Sequence, residues 1–591
     1  MAYGLGYGFI ALLFLVLGLC RLLYTLVFWL VLFSGIGLYW QQRKEVAWTL
    51  LAKELAPRGT GEKVLFALAL VVFGIHFVGS LVPAYGHDEM NYHLTMPRQF
   101  IIAHRIHPTP NVLQANFPFN AQMAYLFCLG LGNDILCKLT QWVQYLVIAG
   151  ILVVWTRSYS PKAGYLAVLF YISTVLAVFQ RVPTECGSDI PTAVFFAIGM
   201  FSISRMNHAN WIRLLPILGL MNGFAWGTKF TAYPFVTLPC LAFLLLRLQE
   251  IGFTLRRTLA AIAIFLVVGL VVLSPWLLKS AVFTGNPIYP FLSEVFPSPV
   301  PYDTLAEKLF EYEQISNFYR RTSEYGLKNL DTNPLVLLPL TLKGYWDEKL
   351  CWAVFNGDGL LPLFIVFSIT GLFFRDTRIR QLAVVGILLN LTFFFIYGCH
   401  LNRFFSVTYP FAAVLVSSQI ARLFQKTGKN EFLISLLGCA LFLQLVHFQL
   451  RWCSFLDWYG RPCLTRAAQK RFMMNRGHET EDRGWAEAVD RLTPKDACIL
   501  GYGVRFPFHT DRRIYYVGDF EDELLDDLLR EYGDWEHVLP ELLDRGFTHI
   551  LVFREKEGAA SLCKWLNRNT SRLWQNDLFE LFEAGNAAGG R

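Results

Sequence analysis

Charge is scarce in this chain of 591 residues: Asp, Glu, Lys and Arg together make up 16%, where a soluble protein of this size carries about a quarter. The shortage excludes one large soluble enzyme. The charges that are present sit in short punctuating segments and in the last part of the chain. No Cys-x-x-Cys pair occurs among the 12 cysteines, so neither zinc nor dithiol redox chemistry is indicated. Cys453, Cys463, Cys498 and Cys563 fall in the polar tail, where export would let them pair. The N-terminus lacks a basic leader and a cleavage site, so the first apolar stretch reads as a retained anchor. Gly501-x-Gly503 lacks the third glycine of a dinucleotide fingerprint, and no nucleotide is assigned to it. No internal repeat is visible, which weighs against a transporter built from repeated halves with broken mid-membrane helices.

What the chain has in quantity is hydrophobic residue, 54% of the total, with a mean hydropathy of +0.40. This composition is that of a mainly α, polytopic transmembrane bundle with an appended soluble domain. Apolar runs place helices near residues 3–19, 23–40, 64–83, 136–155, 164–182, 188–204, 212–228, 231–247, 259–278, 358–374, 381–398, 404–423 and 432–450, about 13 spans. Their loops sort by charge. Arg43 to Lys63, Arg157 and Lys162, Arg205 and Arg213, Arg247 to Arg257, Arg375 to Arg380, and Arg422 to Lys429 all fall on one side, expected to be the cytoplasm. Those basic loops account for the net charge of +7 without any nucleic acid.

The other side receives the outer loops 84–135 and 279–357, short corners at 183–189, 229–230 and 399–403, and everything after 451. Leu335–Leu342 is apolar but too short to span, and with Ala121–Leu131 it is expected at the interface. The chain thus divides into an N-terminal hairpin with its cytoplasmic loop (1–63), a membrane domain (64–450) and a soluble extracytoplasmic α/β domain (451–591). In that tail, residues 497–503, 513–517 and 548–553 read as strands, and 485–492, 521–532 and 538–544 as amphipathic helices.

Two carboxylates, Asp88 and Glu89, stand where the span Val64–Pro83 ends, a costly position unless they face a polar site. The same outer face carries Tyr92, His93, Arg98, His104, Arg105 and His107, then Glu185 and Asp189, Lys229, Lys279, His400 and Arg403. Acids and cations recurring at helix ends on one face suit a reaction that needs a base and a stabilised anionic leaving group, such as a lipid-linked phosphate. Plainer roles stand beside these. Asp88-Glu89 and Asp189 can cap the helices they precede. Lys229, Arg403, Arg98 and Lys279 can be cations snorkelling to the interface, and the histidines can be ordinary loop residues. Glu521 to Asp527 reads as a solvated helix face, and Asn569-Thr570-Ser571 is a glycosylation triplet of a kind common by chance.

The order of these features resembles the GT-C superfamily of integral-membrane glycosyltransferases, in the branch of protein O-mannosyltransferases and lipid A aminoarabinose transferases. Asp88-Glu89 matches that branch's acidic pair after an early helix, and Ile101 to Pro108 its stretch ending in proline. Asp189-Ile190-Pro191-Thr192 suits its second acidic site. Gly223 to Lys229, Ser274-Pro275-Trp276, Gly285-Asn286-Pro287 and Arg403-Phe404-Phe405 to Tyr409-Pro410 follow in the family's order. The likeness covers residues 64–425. One departure is Gln114 to Asn120, where the aminoarabinose branch has a lysine before paired prolines. The two N-terminal spans also lie outside the shared core.

The resemblance implies an inverting transfer from a polyprenyl-phosphate sugar to a glycan, lipid or protein hydroxyl, on the outer face of a bacterial inner membrane. It implies Asp88 as general base, with Glu89 and Asp189 orienting acceptor or base. Lys229 and Arg403 hold the leaving phosphate, with Arg98 or Lys279 assisting, and Tyr92, His93, Glu185 and His400 lie in acceptor or secondary positions. No nucleotide is required. A divalent cation near Asp88, His93 and Asp189 is conceivable, but the spacing fits no ligand motif. Two other functions compete: a transporter or flippase of lipid-linked glycans, and a non-catalytic assembly subunit whose working part is the tail.

Overall fold

In the computed structural model the described residues are 1–43, 48–84, 86–178, 185–292, 294–296, 360–397, 405–425, 430–452, 484–518 and 523–585. Leu335–Leu342, His400, Arg403, Cys453 and Cys463 lie outside them, as does most of the loop 279–357.

Each expected span falls on a helix. The first two are Ala2–Leu19 and Thr25–Gln42, and Gly59–Ser80, Asp134–Arg157 and Gly164–Val178 follow. Asp189–Ser204, Trp211–Trp226, Leu238–Glu250 and Leu255–Thr284 come next, then Leu360–Thr370, Thr377–Tyr397, Tyr409–Gln425 and Asn430–Trp452. Helices are forced here because backbone N–H and C=O groups in hydrocarbon must find partners within the segment. Among the described residues, 5 helical stretches are long and apolar enough to cross a membrane: Ala2–Leu19, Gly59–Ser80, Asp134–Arg157, Leu255–Thr284 and Ser406–Gln425. The chain is an integral membrane protein. Side chains such as Leu26 and Val271 are exposed by 69% and 64%, as lipid-facing residues must be.

Small residues set the closest helix contact. Gly219 and Gly223, one turn apart on Trp211–Trp226, lie against Gly269 of Leu255–Thr284. A Cβ on Gly223 would come within 2.5 Å of the Gly269 carbonyl oxygen, so only glycine lets these backbones approach. The pairing holds together the two helices that lead to Lys229 and Lys279. Asp189–Ser204 packs against Trp211–Trp226 and Asp134–Arg157, so Asp189 begins its helix beside both.

At the opposite helix ends a buried ion pair closes the bundle. Arg157 Nη2 and Glu62 Oε2 are 2.5 Å apart with side chains 3% and 0% exposed. Glu62 also accepts from the N–H groups of Arg58 (2.6 Å) and Gly164 (3.2 Å), and Arg157 donates to the carbonyls of Glu54 and Ala56. Every charge is therefore hydrogen-bonded, the condition under which such a pair is tolerated.

The tail is a five-stranded mixed sheet flanked by helices, in the order β2-β1-β3-β5-β4. Its strands are β1 (Cys498–Tyr502), β2 (Arg513–Tyr515), β3 (His549–Phe553), β4 (Ser571–Gln575) and β5 (Phe579–Glu583). β2, β1 and β3 run parallel, and β5 and β4 add antiparallel. The first three strands and the helices Trp485–Leu492, Leu524–Tyr532 and Trp535–Asp544 match the expectation from sequence. The helix Ala559–Asn569 and the hairpin of β4 and β5 are additional. Asn576 turns that hairpin by accepting from the N–H groups of Leu578 and Phe579 at 2.9 and 2.7 Å. Gly503 follows β1 with φ of 74°, a backbone that favours glycine, and its N–H donates to Glu523 Oε1 at 2.8 Å.

Two outcomes follow. Arg157→Met leaves the Glu62 carboxylate buried without its cation and should cost about 3–5 kcal/mol. The double variant Glu62→Leu/Arg157→Met should recover much of that loss, as thermal unfolding in detergent would read. Burial pushes the Glu523 carboxyl up to about 7, so the folded tail keeps a proton that the unfolded chain has already released. The stability this group contributes is complete below the ordinary glutamate range and is lost as pH rises through 7. The tail's unfolding midpoint should fall between pH 5 and 7.5, and Glu523→Gln should flatten that dependence.

Candidate active site

The segment after Gly59–Ser80 reaches Asp88 along a fixed path. Lys138, fully buried in the first turns of Asp134–Arg157, donates to the carbonyls of Val82 and Pro83 at 3.0 and 3.1 Å. Asp134 Oδ2 accepts from the Ala84 N–H at 2.7 Å. Asp88 then precedes a π turn, Glu89–His93. Such widened turns recur at functional sites. The Asp88 side chain makes no cap hydrogen bond to that turn. It is 27% exposed and lies 3.6 Å from His87 Nδ1.

Glu89 is buried, and each of its oxygens has a backbone partner. Oε2 accepts from the Gly86 N–H at 3.2 Å and Oε1 from the Cys186 N–H at 2.9 Å. It therefore clamps the segment after Gly59–Ser80 to the corner that precedes Asp189. Glu185 reinforces the contact: its Oε1 lies where a Cβ on Gly86 would be, only 2.2 Å away. Gln141 and Tyr125 donate to the carbonyls of Glu185 and Gly187 at 2.9 and 2.6 Å, which fixes the corner from below.

Asp189 opens its helix, where a negative charge complements the macrodipole, and pairs with Lys229; the two side chains are 4% and 14% exposed. Lys229 follows Trp211–Trp226 and precedes a second π turn, Tyr233–Thr237. Two residues before Lys229, the Gly227 carbonyl accepts from the Asn120 N–H at 2.8 Å. Asn120 also donates to the Phe224 carbonyl (3.0 Å) and accepts from Trp276 Nε1 (2.8 Å). Phe119 lies against Tyr92, ring centroids 6.5 Å apart, and Tyr92 against His93 at 4.1 Å. His93 meets the Gln122 amide. These contacts close a ring: Glu89, the 185–189 corner, Lys229, Gly227, Asn120, Phe119, Tyr92 and back to Glu89. Asp88, Glu89, Tyr92, His93, Glu185, Asp189 and Lys229 are thereby brought together from three parts of the chain.

Two expected phosphate contacts have other partners. Lys279, 4% exposed, donates to the Ala115 carbonyl at 2.7 Å and so holds the turn Leu113–Asn116. Arg98 turns to the tail, pairing with Asp511 and donating to the Thr510 carbonyl at 3.2 Å. The His400 and Arg403 positions lie outside the described residues. The turn after them, Ser406–Thr408, packs on Asp189–Ser204 and on Tyr233–Thr237. Among the described residues no group of three or more His, Cys, Asp or Glu side chains is arranged to hold a metal ion.

The tail covers this region. Tyr516 donates its hydroxyl to the Asn91 carbonyl, inside the π turn, at 2.6 Å. Gln99 donates to the Arg512 carbonyl and accepts from the Ile514 N–H, both at 3.3 Å. Asn111 donates to the Tyr516 carbonyl, and its own carbonyl accepts from Gly518. Phe506 and Phe508 join Met90, Leu94, Tyr125 and Cys186 in one apolar cluster. Reading the sequence missed Asn120, Lys138 and Tyr516. A lysine inside an apolar helix is a signal for Lys138; Tyr516 carries none.

The described residues thus form a polytopic bundle with two acids and a lysine at one rim, closed by a small α/β domain. The chain is similar to the crystal structure of ArnT from Cupriavidus metallidurans bound to undecaprenyl phosphate. The TM-score is 0.52 at 16% identity, covering 89% of this chain and 98% of that one. The apo structure of ArnT from the same organism aligns with a TM-score of 0.49 at 15% identity over the same shares. A family model described as a domain of unknown function, DUF8201, matches residues 133–410. No curated protein matches the chain.

Tyr516→Phe should leave the Asn91 carbonyl buried without its donor, at about 1–3 kcal/mol. Hydrogen exchange of residues 89–102 in the full chain should quicken by about tenfold or more, with the helices unaffected.

Proposed function

We propose that this chain is a membrane glycosyltransferase that moves a sugar from a polyprenyl-phosphate carrier to an acceptor hydroxyl on the extracytoplasmic side, with inversion. One observation carries the reading: Asp88, 27% exposed, stands on a turn that Glu89 clamps to the corner leading to a second acid paired to a lysine. The fold of an ArnT that binds undecaprenyl phosphate supports the choice of a lipid-borne donor.

Asp88 takes the proton of the acceptor hydroxyl. The acceptor oxygen bonds to the anomeric carbon from the face opposite the phosphate. The carbon–oxygen bond to phosphate breaks, and its electron pair leaves on the phosphate. Lys229 receives that charge; an ammonium has three donors, so it can hold Asp189 and a phosphate oxygen together. Arg403 is assigned the other phosphate oxygens, where a planar guanidinium binds two at once. Glu89 positions Asp88 through the π turn, while Lys279 and Arg98 support the loop and its cover. Tyr92, His93 and Glu185 border the acceptor side, and the same assignment gives His400 a secondary place. Transport is the weaker reading, because Lys138 and Lys279 each bind loop carbonyls within two turns of a helix end rather than facing a mid-membrane path.

Asp88→Asn should lower transfer by about 10²–10⁴-fold with expression and folding unchanged. The measurement is mass spectrometry of envelope glycans from cells bearing the native chain, the variant or neither. A sugar present with the native chain and absent in the other two supports the assignment. Its undiminished presence with the variant removes Asp88 from the role.

A further inference from the structure

The rim opposite Asp88 carries a cavity of about 460 Å³ lined by Arg205, Arg247 and Arg378 with Ser158, Ser204, Asn207 and Asn210. Its distance from the site is set by Asp189–Ser204. That helix has 16 residues, hence a length of about 24 Å, with Asp189 at one end and Ser204 at the other. The three arginines come from three separate helix ends: the C-cap of Asp189–Ser204, the last turn of Leu238–Glu250 and the first turn of Thr377–Tyr397. A preference for basic loops on one side explains why they lie on this rim, but not why they converge on one hollow with hydroxyls and amides between them.

The charge balance of the hollow is positive. No acid lines it. Glu250 pairs with Arg247 at 2.6 Å, and Asp376 lies 3.4 Å from Arg378 and 2.5 Å from Arg422. Among the described residues Arg205 has no acidic partner. Arg378 also sits in the first turn of Thr377–Tyr397, where the helix dipole disfavours a cation. Backbone contacts hold the guanidinium groups in place: Arg247 Nε donates to the Met206 carbonyl at 2.9 Å and Arg378 Nη1 to the Ser158 carbonyl at 3.3 Å. Each retains further N–H donors, and none can lose its charge.

We infer that this cavity binds the phosphate ester of an anionic membrane lipid. Arginine forks match phosphate oxygens two at a time, and the serine and asparagine side chains supply donors for the remaining headgroup oxygens. The flanks favour lipid over free phosphate. Leu372 and Phe373, on the turn leading to Arg378, are exposed by 39% and 83%. These are surfaces for acyl chains beside a headgroup seated in the hollow. The inference is independent of the reaction assigned to the other rim.

The test is native mass spectrometry of the full chain in neutral detergent with added phosphatidylglycerol, phosphatidylcholine or inorganic phosphate. Saturable retention of phosphatidylglycerol over phosphatidylcholine is expected, falling about tenfold or more, as loss of charge-assisted bonds implies, in Arg205→Gln/Arg378→Gln. Arg380→Gln, on the same helix but outside the cavity lining, should retain lipid like the native chain. Circular dichroism checks that both variants fold. Equal retention of the two lipids, native-level retention by the double variant, or binding of inorganic phosphate without lipid preference would each overturn the assignment.

Discussion

Residues 82–120 leave the membrane helices and return to them without regular structure for much of their length. Much of this stretch is buried, and a buried carbonyl or N–H without a partner costs about as much as a lost hydrogen bond. Side chains from distant helices supply those partners. Lys138 takes the carbonyls of Val82 and Pro83, Glu89 the N–H groups of Gly86 and Cys186, and Lys279 the carbonyl of Ala115, while Asn120 links the Phe224 carbonyl to the Trp276 ring. Several of these groups are charged and buried, which is tolerable only because each is hydrogen-bonded. The candidate site follows from that stitching, since Asp88 and Tyr92 stand on the part of the segment held most tightly.

The helices were legible because long apolar runs admit one backbone solution in a bilayer. Asp189 and Lys229 were legible as charges at helix ends, though not as a pair: they are 40 positions apart, and nothing local couples them. Lys279 shows the limit more clearly. A lysine that meets a phosphate and a lysine that holds a loop carbonyl occupy the same place in an apolar pattern, and only geometry separates them. Arg98 was legible as an outer-face cation, but its partner Asp511 lies in another domain. In the tail, β1 and β3 read well from their buried apolar runs. β4 did not, because Ser571–Gln575 is largely exposed and lacks a clean alternation.

The two rims solve opposite electrostatic problems with similar parts. At the Asp88 rim, Asp189 is paired with Lys229, while Glu89, Lys138 and Lys279 are bound to backbone groups. At the far rim the Glu62–Arg157 pair closes one gap in the same manner, while the neighbouring arginines remain in excess over their acids. Asp189–Ser204 joins the two, and its buried side chains on every face make it a stiff strut rather than a surface element.

The tail's grip on the outer segment has a bearing on how the protein is made. Arg98 finds its acceptor Thr510 at a separation of 412 residues, and Tyr516 reaches Asn91 across 425. A ribosome releases the acidic turn long before it releases the strand that caps it. The assembled centre therefore exists only after the last domain has been synthesised and moved to the same side of the bilayer, so a chain still being inserted holds its acids without their cover.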